Sequence, residues 1–227
     1  MKPVCIVVGI GPGIGSALAR RFAAEGYAVA LLTRNLEHAA ALDGRAYACD
    51  AADPASIAEA FAAVERDLGP PEALLWNAGS GVFGNVEQVD LAAFEAAWRV
   101  NALGPFAAAK LLAPGMKARG RGAIVLIGAT ASVKGGARTA AFSAAKAAQR
   151  GLAQSLARHL WPAGVHVALI VVDGVVDLPA TRQRMADKPD DFFIRPDGVA
   201  ATALALVRQE RSAWSFEVEA RPFGESW

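Results

Sequence analysis

The sequence predicts a doubly wound α/β fold, with about seven parallel strands in one sheet covered by helices on both faces. Three observations carry that expectation. Short runs rich in β-branched residues alternate with longer alanine-rich helical patterns from one end to the other, as strands and their crossovers do in a parallel sheet. The first apolar run breaks into glycines after Ile10 and continues directly into a helical pattern. Finally, 227 residues with 54% hydrophobic content suffice for one well-buried core, and no charge-rich or Pro/Ser-rich stretch divides the chain, so residues 1–227 are expected to form a single domain.

In order, the predicted strands are "VCIVVG", "AVALLT", "RAYACD", "EALLWN", "GAIVLIG", "VHVALIVV" and, near the end, "SAWSFEVEA". Helices are expected to open near Gly13, Leu36, Pro54, Leu91, Thr139 and Pro196. Pro54 and Pro196 follow an Asp and an Arg, and a proline in the first helical turn sacrifices no hydrogen bond. Right-handed crossovers through such helices wind the sheet in both directions. The segment "DGVVDLPATRQRMADKPDDFFIRPDG" breaks this rhythm. It follows the carboxyl end of the sixth strand, where ligands bind in open α/β sheets, so the region around residues 174–196 is either a substrate-side loop or a solvated connection.

The formal net charge of +1 and the absence of any Lys/Arg block leave no electrostatic footprint for nucleic acid or an anionic membrane. No apolar run reaches the roughly 18 residues that span a bilayer. The N-terminal "MKPVCIVVGIGPG" lacks a cleavage site and reads as a buried strand rather than a signal peptide. A soluble, cytoplasmic protein with small-molecule partners is the expectation. Cys5 and Cys49 lie in two predicted strands with no C-x-x-C pairing, and His38, His159 and His166 show no metal-ligand spacing, so inert thiols and no metal site are expected.

The turn in "VVGIGPGIGSALARRFAAEG" holds the first functional signal. Its glycines let backbone approach a pyrophosphate, and the following helix offers free N–H groups and a positive dipole end. The common G-x-G-x-x-G fails in register, whereas G-x-x-x-G-x-G fits Gly9, Gly13 and Gly15, with Gly11 and Ile14 inside the same loop. This is a Rossmann-like dinucleotide site. At the end of the second strand, "LLTRN" places neutral Thr33 before Arg34, where an acidic residue would repel a 2′-phosphate and a guanidinium forks onto one, so NADP(H) is favoured over NAD(H).

Taken together, these motifs resemble the short-chain dehydrogenase/reductase family, up to about Gly174. Gly9, Gly13 and Gly15 are similar to its cofactor loop, with Val8 replacing a usual threonine. "CDAADPAS" resembles its D-V-T-D stretch, which implies that Asp50 lies against the adenine. "WNAG" resembles N-N-A-G, with Trp76 for the first asparagine and Asn77, Ala78 and Gly79 retained; "RVNALGPF" supplies the active-site asparagine, Asn101. Lys146 matches the lysine of the family's Y-x-x-x-K pair, which implies contact with the nicotinamide ribose, while Phe142 takes the tyrosine's place and Ala129 that of the serine. After the sixth strand, where the family shows P-G and then a threonine, "VVDGVVDLPA" has Asp173, Gly174 and, at the threonine position, Leu178; the resemblance sets Asp173, Gly174 and Val176 beside the nicotinamide.

Hydride delivery to a ketone leaves an alkoxide, and a positioned acid must neutralise it. Phe142 and Ala129 have no hydroxyl with which to do so. Tyr27 and Tyr47 lie on the cofactor half and are no substitutes. Thr130 faces the site if the strand end is bulged, Thr139 if its helix begins early enough, and Ser143 lies about 100° around that helix. Asp173 is a capping residue or a new acid. Two functional readings stand: an atypical NADP(H)-dependent oxidoreductase of a small carbonyl or alcohol, with its proton from Lys146, from a water held by Asn101 or from a loop residue, and an inactive NADP(H)-binding sensor or partner protein. The resemblance also implies a homodimer or homotetramer built on the helices that carry Asn101 and Lys146. The aromatic tail "WSFEVEARPFGESW" closes the pocket, packs on a neighbour or ends as a docked edge strand.

Overall fold

The structure, a computed structural model, describes residues 2–224. Its sheet comprises β1 (Val4–Val8), β2 (Ala28–Thr33), β3 (Arg45–Ala48), β4 (Pro71–Trp76), β5 (Gly122–Ile127), β6 (Val165–Val172) and β9 (Glu217–Ala220). Their order is β3-β2-β1-β4-β5-β6-β9 and every pairing is parallel. The chain runs outward from β1 through β2 to β3, then returns to lay β4 on the other side of β1. The crevice at the carboxyl ends of β1 and β4 is therefore the switch point at which such sheets bind ligands.

The pleat sends alternate residues of β1 into two cores. Val4, Ile6 and Val8 join Leu74, Ile124, Met116 and Ala153 on one face; Cys5 and Val7 join Leu75, Val125, Leu18 and Phe22 on the other. The first face is covered by α2 (Pro54–Leu68), α4 (Gly104–Arg119) and α5 (Ala140–Leu160), the second by α1 (Ile14–Ala24) and α7 (Pro196–Val207). Burial pushes the Cys5 thiol far above its ordinary pKa and that of Cys49 up to about 12, so neither forms a thiolate readily.

Pro54 and Pro196 each sit in the first turn of their helix, and the Asp53 side chain caps α2 by accepting from the Ala55 N–H. The predicted helix near Leu36 is instead one 3-10 turn, Leu36–Ala39, capped by Asn35. Gly44 packs so tightly on Val29 and Leu31 that the chain must already be turning into β3, which leaves no length for a helix.

The helix opening at Leu91 is α3 (Leu91–Trp98). It passes through a π-helical turn, Arg99–Leu103, straight into α4. Pro105 is tolerated because it lies in the first turn of α4. A Cβ on Gly104 would lie 2.2 Å from the Ala51 carbonyl oxygen and 2.6 Å from the fully buried Trp76 indole. The tryptophan and the glycine are thus fitted to one another.

The region 174–196 has a structure of its own. β7 (Val175–Val176) pairs with β8 (Phe193–Ile194), and α6 (Pro179–Arg184) lies between them. Arg182 holds it together, bidentate to Asp177 at 2.7 and 2.9 Å, bonded to Asp190 at 2.5 Å and stacked over the Phe193 ring. Among the described residues no helix is long and apolar enough to cross a membrane. Residues 225–227 of the aromatic tail lie outside the described residues.

Candidate active site

Two cavities meet at the carboxyl ends of the central strands. The first, of about 510 Å³, is lined by Gly9, Gly11, Thr33, Arg34, Asp50, and Asn77 to Gly79, among others. The loop geometry explains why glycines stand where they do. Gly9 has φ +94°, and a Cβ there would lie 2.4 Å from the Ala78 nitrogen; one on Gly15 would lie 2.3 Å from the Gly9 carbonyl oxygen. The Asn77 amide donates to that same carbonyl at 2.7 Å, fastening β4 to the loop. Gly13 is the N-cap of α1, with no side-chain cap and no acidic residue in the first turn, so the helix N-terminus offers bare N–H donors.

A backbone cradle of this kind fits a pyrophosphate, and Arg34, exposed on the cavity wall, fits a further phosphate beyond it. Asp50 is the only carboxylate among the described lining residues, and its Oδ1 accepts from the Ala52 N–H at 2.9 Å. Thr33, although it lines this cavity, spends its buried hydroxyl on the Ile10 and Asn35 carbonyls and so braces the loop.

The second cavity, of about 810 Å³, is largely apolar. Its wall includes Ile14, Gly79, Phe83, Ala129, Thr130, Thr139, Phe142, Lys146, Gly174, Val176 and Leu178. No carboxylate lines it among the described residues. Ala129 and Phe142 stand on this wall, so the positions that carry hydroxyls in the resembled family present a methyl group and a phenyl ring. Phe142 instead meets Phe83, ring centroids 5.4 Å apart and tilted by 50°. Phe83 is held there because Gly84 donates to the Arg138 carbonyl and accepts from Ala140, tying its loop to the start of α5.

Lys146 is 4% exposed and one helical turn beyond Phe142. Its Nζ donates to the Ile127 carbonyl at 2.8 Å and to Gln149 Oε1 at 3.1 Å. With no carboxylate in this cavity to stabilise the ammonium form, burial lowers its pKa from 10.5 to about 7. Asn101 is fully buried on the π-helical turn. Its Nδ2 donates to the Ala97 and Ser80 carbonyls, while its Oδ1 has no partner among the described residues. A Cβ placed on Gly79 would lie 3.3 Å from that Oδ1 and 3.5 Å from Lys146 Nζ, so both polar atoms face the same small space.

The other candidate groups are disposed as follows. Thr130, on a 3-10 turn just beyond β5, lines the cavity but donates its hydroxyl to Asp173 Oδ1 at 2.5 Å. Asp173 neither caps a helix nor lines either cavity: its other oxygen pairs with Arg221, which follows β9. Thr139 is the N-cap residue of α5 and lines the cavity, sharing a 2.6 Å hydrogen bond with Ser143, which does not line it. Leu178 packs on the glycine loop, since a Cβ on Gly13 would lie 2.8 Å from its Cδ2. His166 is buried between the Leu206 and Ser215 carbonyls and stacks on Trp214, far along β6 from this end.

Three residues escaped the sequence reading. Gln149, at i+3 from Lys146, was legible from helical spacing once the lysine was chosen. Phe83 comes from an irregular loop and Arg221 from beyond the last strand, and neither position carries a pattern.

Comparison with known proteins agrees with this architecture. A family described as "short chain dehydrogenase" matches residues 3–189. The "Inactive 2-(S)-hydroxypropyl-CoM dehydrogenase 2" of Xanthobacter autotrophicus is 34% identical over 209 residues, covering 84% of this chain and 91% of its own. The 3-oxoacyl-[acyl-carrier-protein] reductase MabA of Mycobacterium tuberculosis is 34% identical over 177 residues, covering 78% and 70%. A metagenomic short-chain oxidoreductase solved in complex with NADP superposes with a TM-score of 0.84 at 29% identity, over 98% of both chains. Fold, cofactor-type loop and sequence match lead to one conclusion: the chain belongs to the short-chain dehydrogenase family.

Proposed function

We propose that the protein is an NADP(H)-dependent oxidoreductase of a small carbonyl or alcohol in which the usual proton donor has been displaced. The observation that carries this reading is the survival of Lys146 and Asn101, both buried and facing one space, beside a cavity where Ala129 and Phe142 stand at the positions the resemblance matches to a serine and a tyrosine. The glycine loop and Arg34 would hold the dinucleotide, Asp50 its adenosine, and Lys146 its nicotinamide ribose. When bound, the cofactor supplies or accepts a hydride. The chain's own part is to orient the carbonyl against Phe142 and Phe83, exclude water and deliver a proton. Lys146, with a pKa of about 7, is matched to that last task near neutral pH, and Asn101 Oδ1 is placed to hold a water beside it. Without an oxyanion donor at Ala129, activated carbonyls are favoured over simple ketones.

A second reading is favoured by a specific observation. The hydroxyl next in sequence to Ala129, that of Thr130, is already committed to Asp173, and one relative carries the word "Inactive" in its name. On that reading the chain binds NADP(H) as a sensor or partner. A homodimer or homotetramer built on α4 and α5 belongs to both.

Titration with NADPH and NADH by nicotinamide fluorescence, followed by a panel of ketones, aldehydes and quinones, separates the two. Turnover above a Lys146→Met control supports the enzyme. Binding without turnover supports the inactive form, and absence of binding overturns both.

A further inference from the structure

We propose that Lys146 is a carbonyl-capturing nucleophile, which forms an imine with aldehydes that enter the apolar cavity in the nucleotide-free protein. This activity needs no cofactor and goes beyond the oxidoreductase reading.

The valence of the amine carries the argument. Nζ has two hydrogen-bond acceptors, the Ile127 carbonyl and Gln149 Oε1. A neutral amine has two N–H bonds and one lone pair, so these two acceptors satisfy it completely and leave the lone pair as its third direction. An ammonium's third N–H would meet no anion in a cavity without carboxylates, only the uncharged Asn101 Oδ1 across the space beside Gly79. Burial favours the neutral form in the same sense, bringing the pKa to about 7. A buried, neutral lysine in an apolar pocket is the activated state of this nucleophile.

The surroundings suit an aldehyde. Phe142 and Phe83 offer an aromatic corner of two rings tilted by 50°, and Ala129 leaves room where a larger polar side chain would stand. The lone pair attacks the carbonyl carbon, a C–N bond forms, and one amine proton passes to the oxygen to give a carbinolamine. Asn101 Oδ1, unpartnered among the described residues and facing the space that Nζ faces, accepts from that new hydroxyl. Loss of the hydroxyl as water leaves the imine. No electrons change hands, and water is the only by-product.

The test is incubation of the nucleotide-free full chain with benzaldehyde and cyanoborohydride, read by intact mass and peptide mapping. Lys146 is expected to label about 100-fold faster at pH 7.5 than exposed lysines such as Lys110 and Lys117, because burial brings its pKa to about 7 and leaves most of it neutral. Its rate should climb from pH 6 to pH 8 and then level off. Lys146→Met should abolish the fast adduct; should that variant not fold, the wild-type peptide map decides alone. Labelling of Lys146 no faster than of the exposed lysines would overturn the proposal. Added NADPH reports separately on the cofactor reading: protection of Lys146 supports it, and an adduct formed equally with NADPH counts against it while leaving the nucleophile established.

Discussion

Phe142 and Phe83 face each other across 5.4 Å on the wall that also holds Lys146, one ring from the helix and one from a loop tied to its first turn. The pair lines with hydrocarbon the wall where, by the family resemblance, Phe142 stands in place of a tyrosine. Restoring hydroxyls therefore tests whether the remaining architecture is competent. The double substitution Phe142→Tyr with Ala129→Ser is expected to raise ketone-dependent NADPH oxidation by at least about 100-fold, since a general acid and an oxyanion donor each contribute on that scale. Steady-state rates of wild type, both singles and the double variant measure it.

The proposed preference for NADP(H) rests on Arg34. A charge-assisted contact to a 2′-phosphate contributes about 1.5–3 kcal/mol, so Arg34→Ala should weaken NADPH binding by roughly 10- to 100-fold. Affinity for NADH, which has no such phosphate, should stay within about twofold. Fluorescence titration of both nucleotides against both proteins gives the comparison, and equal losses would remove Arg34 from the site.

Burial of Lys146 predicts a signature in stability. Between pH 7 and 10.5 the unfolded chain holds the lysine proton and the folded chain does not. Unfolding free energy must then rise with pH across that window, by about 1.4 kcal/mol per unit from this group where the proton difference is complete. Below pH 7 both states are protonated, so the slope vanishes while the cost of the buried ammonium is present in full. Urea titrations from pH 6 to pH 10 should show this slope in the wild type and its loss in Lys146→Met.

The Asp173–Arg221 pair fastens the segment after β9 to the end of β6, with side chains 16% and 17% exposed. Asp173→Asn keeps an acceptor for Thr130 but removes the charge. A loss of about 2 kcal/mol, reduced from the value for a fully buried pair because this one is partly wetted, corresponds to a Tm lower by about 5 °C. Calorimetry checks it, and hydrogen exchange should place the loosening at 217–221.

Trp98 and Phe106 are 42% and 50% exposed on neighbouring helices, a poor arrangement for a face left in water. If a second copy of the chain covers this face, Trp98→Glu and Phe106→Glu should halve the mass measured by light scattering. An unchanged mass would exclude these two residues from the contact.

How much of this was legible depends on the kind of signal each residue carries. The strands and the helical layers on both faces followed from apolar runs and helical periods, because burial imposes those patterns on every neighbour at once; the order of the strands in the sheet came only with the structure. Gly9 and Gly15 were readable for a related reason: close backbone approach excludes any side chain, while at Gly13 it is the Leu178 side chain that leaves no room. The short turn at Leu36 was misjudged as a helix, since local propensity says nothing of how tightly Gly44 packs. Asp173 was read as a cap or an acid because its partner lies 48 residues away, where no spacing rule reaches.

The π-helical turn between α3 and α4 sets a limit on what the chain tolerates. It places one additional residue in a helical path that otherwise continues from Leu91 to Arg119. Deleting a single residue from it would restore regular winding, yet it would also rotate one flank against the other by about 100° and shift it by about 1.5 Å. Asn101 would swing away from Gly79, and Gly104 would no longer sit beneath the Trp76 indole. Related chains are therefore expected to vary in length almost anywhere before they vary here, and a library of single-codon deletions scanned across 91–119 should find its sharpest loss of folded protein at 99–103.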